Sequence, residues 1–255
     1  MPDVPGSLAA VAAAVPWLGP PRRRHWNRRL IAGAAIILVA AGAALAAPWV
    51  SPYPQEYQEL VNRLQGPTAS HWLGTDNYGR DLLSRVIWGG RVSLTVGLLS
   101  MSIAVFVGVL IGATSGYFGR MADAVLMRFT ELFLVFPAFF LLILAVASFG
   151  RTLTILVVML GLTSWAVSAR IIRGEVLKVK GRDYILAVQS IGASNSRIIV
   201  RHVLPNIASV IIVSATIRVG ILILVEAGLS FLGLGIQEPM SSWGSMISGG
   251  TAFMR

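Results

Sequence analysis

The sequence predicts an all-α protein that crosses a membrane five times, and three observations carry that prediction. Of 255 residues, 55% are hydrophobic and only 13% are charged, about half the charged fraction of an ordinary soluble domain. The apolar residues fall into five runs, 30–47, 92–114, 126–148, 153–169 and 207–229, each near the ~20 residues that a helix needs to cross a hydrocarbon core. The basic residues gather between these runs, as orientation in a bilayer requires. The formal charge of +10 is therefore read as membrane orientation. With no basic stripe interleaved with aromatic residues, it does not point to nucleic acid. There is no cysteine, which removes disulfides and thiolate metal sites.

Residues 1–29 are expected to be a cytoplasmic tail with a basic cluster. Its first part, 1–21, reads as mobile, because the apolar stretch Leu8–Val15 has no basic residue before it, the reverse of a secretory signal. Arg22, Arg23, Arg24, Arg28 and Arg29 then precede the first run and place the N-terminus in the cytoplasm. Alternation puts 48–91 outside, Arg120 and Asp123 inside, the turn at Gly150-Arg151 outside, 170–206 inside and 230–255 outside. The arginines and lysines concentrated in 170–206 support that alternation.

The outer segment 48–91 is punctuated by Pro48, Pro52, Pro54, Gly66 and Pro67, so loops and short helices are expected there. Asp76 and Gly79 suit a tight turn. Asp81 suits the cap of an interfacial helix carrying Leu82, Leu83, Val86 and Ile87 and ended by Gly89-Gly90, with Arg85 placed four residues on to pair with Asp81. Turn and cap chemistry accounts for Asp76, Arg80 and Asp81 better than a metal or catalytic site does. The last stretch, 230–255, is broken by glycine and proline and reads as a re-entrant or loop segment with Trp243 at the headgroups.

Between the fourth and fifth runs lies a polar interval that is itself helical. Asp183 suits the cap of a short helix with Tyr184, Ile185, Leu186 and Val188 on it, and Gly192 supplies the left-handed residue that ends it. Ser194 suits the cap of a second helix over 195–203, which Pro205 closes. Two short helices meeting at a glycine make a protruding knuckle, suited to contact rather than to enclosing a ligand.

Charges inside the apolar runs are few. Arg218 and Glu226, eight residues apart in the fifth run, fall near one helical face and fit either a solute path or, for Arg218, a contact with another subunit. Glu131 is expected to snorkel or to pair with Arg128 near the cytoplasmic face rather than to bind substrate. Gly108 and Gly112 have the small-xxx-small spacing that permits close helix packing. No phosphate-loop motif and no His-Glu-x-x-His zinc helix occurs, so the chain is not expected to hydrolyse ATP or to bind a metal or cofactor itself.

Three stretches together resemble one family. His71-Trp-Leu-Gly-Thr-Asp-Asn-Tyr-Gly-Arg-Asp81, with Ser84-Arg85 and Arg91-Val-Ser-Leu94, looks like the segment before the second span of the C-type permease subunit of dipeptide, oligopeptide and nickel ABC importers. Glu226-Ala-Gly-Leu-Ser-Phe-Leu-Gly-Leu-Gly235, followed by Trp243-Gly244, is similar to that family's outer segment after the fifth span. The knuckle resembles its ATPase-coupling loop, Glu-Ala-Ala, three residues, Gly, nine residues, Ile-x-Leu-Pro. Leu186, Ala187 and Val188 stand at the triplet, Gly192 at the glycine, and His202, Leu204 and Pro205 at the end. The acidic first position is thus Leu186 and the isoleucine is His202.

The resemblance implies a type I ABC importer permease fold over 30–255, with cytoplasmic coupling helices, in the cell membrane. The family has a sixth span; this sequence stops at Arg255 before one, being either shortened or a member without that helix, so five are expected within it. Also implied are a homologous permease completing the translocation pore, two cytoplasmic ATPases that carry ATP and Mg²⁺, and an extracytoplasmic substrate-binding protein. The coupling contact falls on Leu186, Ala187, Val188, Gly192, His202, Leu204 and Pro205. In such a pore Arg218 and Glu226 would read a peptide terminus, or Arg218 would pair with the sister permease, and both readings stay open. Peptides are the expected cargo; nickel or another small solute is the alternative, followed by a secondary transporter, for which inverted repeats would speak, and a membrane scaffold.

Overall fold

The computed structural model describes residues 28–251, so the basic cluster at 22–24 and the tail before it lie outside the described residues. Among the described residues there is no strand, only an isolated bridge between Thr75 and Asp81. The helices of eight residues or more are α1 (Arg28–Leu45), α2 (Leu82–Phe118), α3 (Arg120–Val135), α4 (Ala138–Phe149), α5 (Leu153–Lys180), α6 (Asp183–Ser190), α7 (Asn195–Phe231) and α8 (Trp243–Thr251). Among the described residues, those up to Val39 belong to one unit and those from Ala40 onward to another. Within the first unit α1 exposes Ile36, Ile37 and Leu38.

By length and composition α2, α5 and α7 can each cross a membrane, and α3 with α4 makes a fourth span if the bent pair is counted as one. The first apolar run is shorter than expected. Its apolar helix is Ile31–Leu45, about 22 Å at 1.5 Å per residue, against a hydrocarbon core of roughly 30 Å. The expected single segment over 126–148 is instead α3 and α4 meeting at 77°. Pro137 is the cause: it has no N–H to donate and forces Phe136 into an extended conformation at ψ 131°.

The interfacial helix expected to stop at Gly89-Gly90 does not stop there. α2 runs through both glycines for 37 residues, because the absent side chains make room for the Trp243 indole. A Cβ on Gly90 would lie 3.0 Å from that ring. The same packing is fixed by hydrogen bonds from Trp243: its Nε1–H donates to the Val86 carbonyl at 3.0 Å and its backbone N–H to Ser93 Oγ at 3.1 Å.

The body is organised on the α2–α5 pair, the most extensive helix contact. Val96, Met101, Ala104, Leu156, Leu160 and Trp165 form its centre, with Phe129 and Phe133 of α3 against the Trp165 ring. Toward the knuckle end Gly108, Gly112 and Gly116 of α2 lie directly on α5; a Cβ would stand 2.7 Å from Ser168 Cβ at Gly108 and 2.9 Å from Val176 Cβ at Gly116. Arg173 of α5 grips Asp123 of α3 through two bonds of 2.5 and 2.6 Å, and Ser115 of α2 donates to the same carboxylate. Three helices are thereby fixed at one end.

Candidate functional site

The knuckle is built as a helix, a left-handed glycine and a second helix. α6 begins at Asp183 with Arg182 in the capping position, so Asp183 sits in the first turn and is not the cap itself; a carboxylate there still favours the helix dipole. Gly192 has φ +81° and closes α6 in a Schellman arrangement, its N–H donating to Gln189 O at 3.0 Å and that of Ala193 to Val188 O at 3.3 Å. Ser194 stands at the cap position of the next helix, without a side-chain capping bond.

The second helix is not a separate unit. Helical backbone continues from Asn195 through Pro205 to Phe231, and Pro205 does not close it. A π turn over Ile199–Val203 precedes the proline, and its wider spacing accommodates the ring and the missing N–H. The knuckle and the last long helix are therefore one rod of 37 residues, about 55 Å long.

What anchors the knuckle is apolar. Ile185 of α6 and Ile198 and Val203 of α7 are fully buried against Ala113, Tyr117, Ile172, Val176 and Val179. The Tyr117 hydroxyl joins both arms, donating to Asn195 Oδ1 at 3.1 Å and accepting from Gln189 Nε2 at 3.3 Å. Away from this anchor, Leu186 is 49% and Ile191 83% exposed. Ala187, Gly192 and Pro205 are also exposed, whereas Val188, His202 and Leu204 are half-buried. Sequence reasoning did not single out Ile191 or Tyr117. An apolar residue just before a left-handed glycine was the available signal for Ile191; Tyr117 gave none, because its partners lie 72 and 78 residues away.

At the opposite end the 71–85 segment is tied to the loop after α7. Asp81 caps α2, accepting from Ser84 N at 2.8 Å and Ser84 Oγ at 2.7 Å, and its other oxygen meets buried His71 Nδ1 at 3.1 Å. That leaves nothing for Arg85, whose expected partner was Asp81; Arg85 pairs instead with Asp76 and with Glu238. Asp76 accepts backbone N–H groups from Tyr78 (2.8 Å) and Arg80 (3.0 Å) and the Arg80 Nε at 2.8 Å. Burial pushes its carboxyl up, but these bonds outweigh it and hold Asp76 below the usual carboxylate range. Arg80 also pairs with Glu238. The tight turn expected at Asp76 and Gly79 is present, with Gly79 at φ +71°. Glu131 pairs with Arg128 at 3.2 Å as expected.

The two charges of the fifth apolar run part company. Glu226, expected with Arg218 on a solute path or a subunit contact, is fully buried within the chain. Its Oε1 accepts from Ser230 Oγ at 2.7 Å and Ser242 Oγ at 2.8 Å, while Oε2 has no partner among the described residues. Ser242 also accepts from Ser245 N at 3.1 Å at the start of α8. Glu226 thus ties α7 to the segment that follows it. Arg218 is half-buried and has no hydrogen bond or ion pair among the described residues.

Residues 104–254 match the family model described as binding-protein-dependent transport system inner membrane component. The chain is 39% identical over 240 residues to the oligopeptide transport system permease protein of Haemophilus influenzae, covering 93% of this chain and 77% of that one. It is 40% identical over 229 residues to the dipeptide transport system permease protein of Bacillus subtilis, covering 90% and 72%. To the glutathione transport system permease protein of Pectobacterium atrosepticum it is 37% identical over 234 residues, covering 89% and 78%.

Proposed function

The chain belongs to the family of inner-membrane components of binding-protein-dependent transport systems, and from that premise we propose that it is the permease subunit of an ATP-driven importer of dipeptides or oligopeptides. The single observation that carries the peptide reading is likeness over nearly the whole chain to permeases named for oligopeptides, dipeptides and glutathione. A homologous permease supplies the other half of the pore, two ATPases hold ATP and Mg²⁺, and a binding protein delivers the peptide from outside. The arginines from Arg22 to Arg29 keep the N-terminus in the cytoplasm of a cell-membrane protein, which puts the knuckle on the same side.

In this reading the exposed Leu186 and Ile191 insert into a cleft of an ATPase, with Ala187, Val188, Gly192, His202, Leu204 and Pro205 shaping the contact. The contact is apolar where the family pattern has an acid. Closure of the ATPases pushes on the knuckle. Because Ile185, Ile198 and Tyr117 lock it to α2 and α5, and because α7 passes unbroken through Pro205, the push travels as rigid-body motion.

The test is uptake into proteoliposomes holding the complete complex. Labelled dipeptide and oligopeptide uptake is expected to require ATP and the loaded binding protein. Nickel uptake in place of peptide uptake, or peptide flux from the purified chain alone without ATP, would overturn the proposal.

A further inference from the structure

Arg218 takes no part in the coupling contact, yet it stands at a position where a charge is expensive. It is the fifteenth residue of the 28-residue stretch Leu204–Phe231, about 20 Å from either end, which is the centre of a bilayer whose apolar core is roughly 30 Å thick. Between His202 and Glu226 no other ionisable residue occurs. One flank of the helix is packed: Leu222 and Glu226 are buried, and Val219 and Ile223 lie over Gly97 of α2. The other flank, with Val213, Ile217 and Leu224, is open. Arg218 stands on the border, half-buried and with no partner among the described residues. Glu226, the next charge along, is enclosed with its serines and does not serve it. Ser214 and Thr216 spend their hydroxyls on the carbonyls of Ile211 and Ile212.

An arginine at the bilayer centre facing hydrocarbon is strongly disfavoured, so such residues face water or an anion. Peptides, dipeptides and glutathione share a free carboxylate, the group that a guanidinium binds through two parallel N–H bonds. Resting on the peptide-permease reading, we infer that Arg218 lines the translocation path and binds the C-terminal carboxylate of the peptide as it passes the membrane centre. A single arginine with no second anchor holds the anion without trapping it, as conduction requires.

The experiment compares ATP-driven uptake of a labelled dipeptide and of its C-terminal amide by the full complex in proteoliposomes. Each is supplied above the concentration that half-saturates the binding protein. Arg218→Gln is expected to lower uptake of the free acid about tenfold or more, the size of a lost charge-assisted bond, while changing uptake of the amide less than about twofold. Arg218→Lys is expected to keep most of the acid uptake. Equal loss of acid and amide, release of the partner permease from the purified complex, or unchanged acid uptake would each overturn the inference while wild-type transport still upholds the peptide reading. Wild-type complex that transports neither compound would overturn both.

Discussion

Replacing Gly112 with leucine is expected to destabilise the chain more than any other single substitution along α2. A Cβ at Gly112 would run into the Ala169 carbonyl and lie 3.0 Å from Ile172 Cβ and 3.1 Å from Arg173 N. None of these is the end of a flexible side chain, so α2 and α5 must separate. Separation strains the grip of Arg173 on Asp123 and the Ser115 bond beside it. Overpacking of this kind costs about 3 kcal/mol or more, and in a bilayer there is little hydrophobic drive to restore the pair, since close van der Waals packing is what holds such helices together. A lower melting temperature of the detergent-purified chain, by at least about 10 °C, is the expected reading. Gly174→Leu on α5, where an added Cβ meets nothing within 4 Å, is the control expected to melt near wild type. Equal melting of the Gly112 and Gly174 variants would refute the close-packed pair.

Replacing Gly192 with valine is expected to have the opposite profile, with transport lost and the fold retained. Nothing lies within 4 Å of a Cβ there, so packing is not disturbed. The cost is conformational: at φ +81° a side chain crowds its own backbone by about 1–2 kcal/mol, more for a β-branched one. Relaxing that strain re-aims α6 against α7 and carries Leu186 and Ile191 out of register with the partner cleft. ATP-dependent uptake is expected to fall about tenfold or more, while the melting temperature shifts by only a few degrees. Gly192→Asn, which tolerates the left-handed region, is expected to retain most uptake. Normal uptake by the valine variant would remove the knuckle from the coupling path.

Much of this was legible because it is local. Hydropathy marks where the long helices run, Asp81 caps α2 through a bond three residues away, and the turns at Gly79, Gly150 and Gly192 are all at positive φ. What misled the sequence reading was tertiary. Gly89-Gly90 looks like a helix end until Trp243, about 150 residues later, fills the space above it. Pro205 looks like a boundary because a π turn cannot be read from residue types. Pro137 is hidden for the reverse reason: apolar residues continue on both sides of the break, so the run reads as one span. Arg85 and Glu226 show that a charged residue's partner cannot be chosen by spacing alone, since Asp76 outcompetes Asp81 for one and Ser242 encloses the other. The shape of the knuckle could be read from its own sequence; its anchorage through Tyr117 could not.

The contact between knuckle and ATPase can be tested directly, because the chain contains no cysteine and an introduced thiol is unique within it, so the chain can be labelled before the complex is assembled. A Leu186→Cys variant is labelled with a thiol-reactive benzophenone, assembled into the complete complex and irradiated, alongside a Trp72→Cys variant at the opposite end, where the native side chain is 71% exposed. The expected result is a cross-link to an ATPase subunit from position 186 and not from position 72, with a yield that changes when ATP is added. A cross-link to the ATPase from position 72, or none from position 186, would contradict the proposed coupling surface.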